Sequence, residues 1–107
     1  MDTATLLTDM LTAATSAAKG HATDLKNFIE ARARLIAEGV TAIAADLLSG
    51  AITADDARFA FSEIREAEKT AILAVEATGQ AAAQDAINAA LAVASAAVNK
   101  AVGLAIL

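Results

Sequence analysis

Cysteine, proline, tryptophan and tyrosine are absent from this sequence, and aromatic residues make up only 3% of it. Without cysteine the chain can form neither a disulfide framework nor a thiolate zinc site. Without proline and with only five glycines, it has few residues that interrupt a helix. Alanine, the strongest helix former, supplies over half of the 57% hydrophobic fraction. The composition therefore indicates an all-α fold, and the length of 107 residues indicates one helical domain over 1–107.

Clustered positive charge is also missing. The net charge is −5, and residues 86–107 contain a single ionisable side chain, Lys100. Because attraction to phosphates needs a basic face, we expect no nucleic-acid partner. The N-terminal residues lack the basic region of a secretory signal, so we expect no signal peptide and a location in the cytoplasm or within a macromolecular particle.

The residues that usually carry catalysis are scarce. The one histidine, His21, follows Gly20 at a predicted turn, and no Glu-x-x-His pair or glycine-rich phosphate loop occurs. A solvent-exposed or capping role suits His21 better than that of a metal ligand or general base. We therefore expect no enzyme activity, cofactor or metal. A four-helix bundle that binds a metal or a small ligand is the least favoured of three functional hypotheses, and the other two are given below.

Hydrophobic spacing predicts a short first helix over about 4–19 and a second over 24–49 that begins at Thr23 and Asp24. In the second helix, isoleucines recur every seven residues, each followed four residues later by another apolar residue. This is the pattern of a coiled-coil seam, and it consists of Ile29, Ala33, Ile36, Val40, Ile43 and Leu47. A second apolar row through Phe28 and Leu35 predicts contact with more than one neighbouring helix.

The sequence GAITADD predicts a tight turn between antiparallel helices. Gly50 suits the left-handed position after a helix, and Thr53 with Asp56 has the spacing of a capping box. A third, long helix then follows over 54–104, interrupted only by Gly79. Since no N-cap residue follows Gly79, we favour a continuous helix, which gives an antiparallel hairpin with a long C-terminal helix plus the short first helix. The alternative is an up-and-down four-helix bundle with a break at Gly79.

The apolar C-terminal segment, 86–107, is long enough to cross a bilayer. However, Asn88 and Asn99 lie within it together with Lys100, and alanine contributes little to membrane insertion. The polar residues also share one helix face, which leaves a wide apolar face opposite. Packing against protein helices, within the chain or between chains, explains this pattern better than lipid does.

These observations favour a non-enzymatic helical assembly protein. It would bind copies of itself or other subunits of a larger complex, such as a virus particle, through its alanine-rich C-terminal helix. The alternative is a membrane-associated helical protein whose residues 86–107 insert in or lie on lipid. The predicted protein interface consists of ten apolar residues: Ile29, Ile36, Val40, Ile43, Leu47, Ile87, Leu91, Val98, Val102 and Ile106.

Overall fold

The computed structural model describes all residues from Met1 to Leu107 and confirms the all-α class. Helices contain 83% of the residues, and there are no strands. The four helices are α1 (Thr3–Ala18), α2 (Lys26–Ser49), α3 (Ala54–Leu73) and α4 (Ala77–Val102), and a short 3-10 turn, Lys19–His21, follows α1.

Side-chain contacts show that consecutive helices run in opposite directions. Thr3, at the start of α1, donates a hydrogen bond of 3.0 Å to Thr41 in the second half of α2. Arg32 in the first half of α2 binds Glu68 near the end of α3. Arg58, near the start of α3, reaches Ile106 just beyond α4. The bundle is therefore up-and-down, with extents of 43 × 24 × 19 Å.

Helices α2 and α4 form the centre of the bundle. Each of them packs against the other and against both α1 and α3, whereas α1 and α3 do not pack against each other. The core is lined largely by alanine, so the helices can approach closely. Its largest fully buried side chains are Met10, Ile29, Ile36, Val40, Ile87 and Val98.

The predicted long helix over 54–104 is in fact two helices, α3 and α4, and the chain reverses at residues 74–76. The four helices agree with the alternative bundle, although the break precedes Gly79, which lies buried in the first turn of α4. No side chain caps the start of α4. Instead, the side-chain amide of Gln80 donates to the carbonyls of Val75 (2.8 Å), within the reversal, and of Leu73 (3.4 Å), the last residue of α3.

Local signals at the other boundaries were more informative. Gly50 is left-handed (φ 78°) after α2, and Thr53 and Asp56 form the predicted capping box, with N–H to side-chain oxygen distances of 3.0 and 3.1 Å. The start of α2 was predicted too early, because Thr23 and Asp24 lie in a turn and the helix begins at Lys26 without a side-chain cap. The last helix ends at Val102, where Gly103 takes the left-handed conformation.

Candidate functional site

The up-and-down topology brings four exposed hydrophobic side chains to one end of the bundle. This is the end at which α1 and α3 begin and α2 and α4 finish. Met1, Leu48, Phe59 and Leu104 lie there and are 44, 62, 66 and 65% exposed. Only two other large hydrophobic residues, Leu35 and Leu73, are comparably exposed. We call the end that carries these four residues the apolar end.

An open groove of about 720 Å³ lies at the apolar end between the start of α1 and the last turns of α4. Met1 and Leu48 are among its lining residues. The α4 wall is built from small side chains, because the exposed face of that helix is alanine-rich over this stretch. The groove is lined by Met1, Asp2, Thr5, Leu6, Asp9, Leu48, Val93, Ala96, Ala97, Lys100 and Ala101.

Three charged side chains line this groove. The carboxylate of Asp2 caps α1: one oxygen accepts from the N–H of Ala4 (3.0 Å) and the other from the hydroxyl of Thr5 (2.7 Å). The bond from Thr5, followed by the bond from Ala4, lowers the pKa of Asp2. Asp9 on α1 and Lys100 on α4 take part in none of the three ion pairs of the chain. Apart from Asp2, whose carboxylate oxygens are occupied in capping α1, the groove thus carries one negative and one positive side chain without an ion-pair partner, on opposite walls.

The residues after α4 are held in place at the apolar end. Asn99 accepts hydrogen bonds on its side-chain oxygen from the N–H groups of Ile106 (2.9 Å) and Leu107 (2.8 Å). Its side-chain N–H donates to the Leu107 carbonyl (3.1 Å), and Arg58 Nε donates to the Ile106 carbonyl (3.1 Å). As a result, Ile106 and Leu107 pack against the core, while Leu104 stays exposed.

A second polar feature lies away from the apolar end. Glu68 on α3 is 2% exposed and binds the Arg32 guanidinium of α2 through both carboxylate oxygens, at 2.8 and 2.7 Å. The hydrogen bond to Glu68 raises the pKa of Arg32. A small cleft of about 80 Å³ between α3 and α4 borders Glu68. Because both carboxylate oxygens already have partners, this pair joins α2 to α3 and is not free to bind a ligand.

The structure places most of the predicted interface inside the chain. Three of the ten residues are half-buried and pack against the core: Leu47, Val102 and Ile106. The other seven are buried within the core itself: Ile29, Ile36, Val40, Ile43, Ile87, Leu91 and Val98. Any contact with another protein therefore has to use additional residues.

Sequence reasoning missed the four residues of the apolar end. They are spread from Met1 to Leu104, and only the reversal at 74–76 brings the end of α4 beside the start of α3. The exposure of Leu48 beside half-buried Leu47 could have been suspected, because adjacent residues on a helix point about 100° apart. The pairing of Arg32 with Glu68 was also missed, since 36 positions separate them.

Neither histidine nor a cluster of possible metal ligands is part of the apolar end. No three histidine, aspartate or glutamate side chains lie close enough together to hold a metal ion. His21 is exposed and lies near the opposite end of the bundle, after α1. The apolar end offers contact area and charge, which are properties of a binding surface.

One helix, Ala77–Val102, meets the length and hydropathy criteria for a membrane span, with a mean hydropathy of 1.3. Inside the bundle, 39% of its most apolar stretch is buried. Core helices of water-soluble proteins meet the same criteria. No family model, curated protein or solved structure matches this chain.

Proposed function

We propose that this protein is a non-enzymatic helical assembly protein that binds copies of itself or other protein subunits through its apolar end. The observation that carries the proposal is that Met1, Leu48, Phe59 and Leu104 are exposed at one end of the bundle, where Met1 and Leu48 line a groove. Large hydrophobic side chains exposed together are typical of protein contact surfaces.

The ordered tail supports the same surface. Residues 106–107 are fixed by hydrogen bonds with Asn99 and Arg58, and the N–H of Leu104 donates to the Asn99 carbonyl (3.2 Å), so Leu104 is presented in a defined position. A surface whose side chains are held before binding loses less conformational entropy when a partner docks. Alanine on the exposed face of α4 also lets a partner helix approach closely.

The experiment is light scattering of the purified chain without detergent over a wide range of concentration. We expect the mass to rise with concentration for the wild type and to stay near that of one chain for Leu48→Asp, because a carboxylate in the contact would be desolvated. Leu35→Asp is the matched control, since Leu35 is an exposed leucine in the middle of the same helix. A wild-type chain that stays monomeric at every concentration would contradict self-assembly.

A membrane-associated protein is the second candidate, and the observation that favours it is the apolar length of α4. In this case the full chain would float with lipid vesicles, and α4 would leave the bundle to contact lipid. Vesicle flotation combined with the absence of concentration-dependent mass would favour this candidate over the first. The scarcity of basic residues near α4 weakens it, because interfacial helices usually carry lysine and arginine.

A further inference from the structure

We propose that the partner of the groove is a second copy of this chain, docked face to face so that Lys100 of each copy lies opposite Asp9 of the partner subunit. This inference rests on the proposed function and gives it a specific geometry. It follows from the sizes of the side chains that line the groove, from the charges of the groove and from the net charge of the whole chain.

The side chains that line the groove differ in size in a way that suits contact with a second copy. Leu48 is a large, 62% exposed side chain, while Ala96, Ala97 and Ala101 on the α4 wall are small enough to receive such a side chain from a partner. In a two-fold symmetric dimer the same patch serves both partners, so every contact occurs twice. The exposed leucine of each copy can therefore pack against the alanines of the other copy.

The charges of the groove are also self-complementary. Asp9 and Lys100 lie on opposite walls, and neither has an ion-pair partner within the chain. Asp2 is a weaker candidate because hydrogen bonds to Ala4 and Thr5 already occupy both of its carboxylate oxygens. In a two-fold dimer Lys100 and Asp9 would form two equivalent ion pairs across the contact.

The rest of the molecule argues against an anionic partner. The net charge is −5, and two aspartates flank the groove, so nucleic acid and anionic lipid would be repelled from it. Copies of an acidic chain also repel each other at long range. Opposite charges placed at the contact then determine which faces meet, because charge complementarity contributes more to specificity than to affinity.

The test is a charge exchange at two exposed positions. Lys100→Glu and Asp9→Lys each convert both ion pairs into like-charge contacts, and we expect each to weaken self-association by roughly tenfold or more. A mixture of the two variants has opposite charges facing again, as does the double variant Lys100→Glu/Asp9→Lys. Both are expected to regain association close to that of the wild type. Sedimentation velocity measures all four, and circular dichroism checks that each chain keeps its helices.

The outcomes separate this inference from the proposed function. If Leu48→Asp abolishes association but neither charge reversal changes it, assembly through the apolar end stands and the pairing of Lys100 with Asp9 is wrong. If each single variant is weakened and the mixture does not recover, the pairing is again wrong. A wild-type chain that never associates would overturn the inference and self-assembly together.

Discussion

Helices α3 and α4 are held in the bundle in different ways. Helix α4 buries eight residues, none of them charged: Gly79, Ala83, Ala86, Ile87, Ala90, Leu91, Ala94 and Val98. Helix α3 buries only Ala57, Phe61 and Glu68. The attachment of α4 is thus distributed over many small contacts, each alanine methyl contributing about 0.8 kcal/mol. The attachment of α3 relies on fewer fully buried groups, mainly one aromatic ring and one ion pair, with half-buried Ala60, Ile64 and Ile72 beside them. Single substitutions should therefore affect the two helices unequally.

The largest effect is expected at Phe61, the only large apolar side chain that α3 buries. Replacing it with alanine should lower the free energy of unfolding by about 3 to 5 kcal/mol, because a cavity replaces the ring. Phe59 on the same helix is exposed and is the matched control; in the dilute, unassociated chain Phe59→Ala should change stability by about 0.5 kcal/mol or less. Urea unfolding measures both, and equal effects would contradict the burial difference.

Replacing a buried alanine of α4 with a larger residue tests how closely that helix is packed. Ala90 is fully buried in α4, so Ala90→Leu should destabilise the protein by about 1 to 3 kcal/mol. Ala92 is exposed on the same helix, and leucine there should leave the urea midpoint almost unchanged. A neutral Ala90→Leu variant would mean that α4 has room beside it and is not closely packed.

The ion pair of α3 should give the smallest of these effects. Glu68→Gln keeps the size of the side chain but removes its charge, and we expect a loss of about 1 to 2 kcal/mol, since Arg32 is partly exposed and can regain water. Glu66→Gln removes an exposed pair with Lys69 and should cost well under about 1 kcal/mol. Thermal unfolding of both variants shows whether burial makes this difference.

The sequence was most informative where a structural feature depends on neighbouring residues. The all-α class, the left-handed Gly50 and the capping box of Thr53 and Asp56 are such features, and the structure contains all of them. The buried heptad positions of α2 were also predicted, although they were assigned to contact between proteins. Periodicity identifies an apolar face but does not reveal whether the same chain or another one covers it.

Features that depend on distant residues were not predictable in the same way. The reversal at 74–76 has no glycine, proline or N-cap signal, and it is stabilised by a hydrogen bond from the side chain of Gln80, in the following helix, to the Val75 carbonyl. Folding back lets α4 bury its apolar face against α1 and α2, and this gain comes from the tertiary structure. The apolar end depends on that reversal, so it could not be recognised before the helices were placed.

The arrangement of the bundle requires that α4 is covered by helices of its own chain. Native-state hydrogen exchange of the dilute wild-type protein, measured with and without lipid vesicles, tests whether it is. We expect the backbone amides of residues 83–98 to be among the slowest to exchange, those of α3 to exchange faster, and neither to change when vesicles are added. Rapid exchange throughout α4 that slows only when vesicles or further copies of the chain are present would contradict the account.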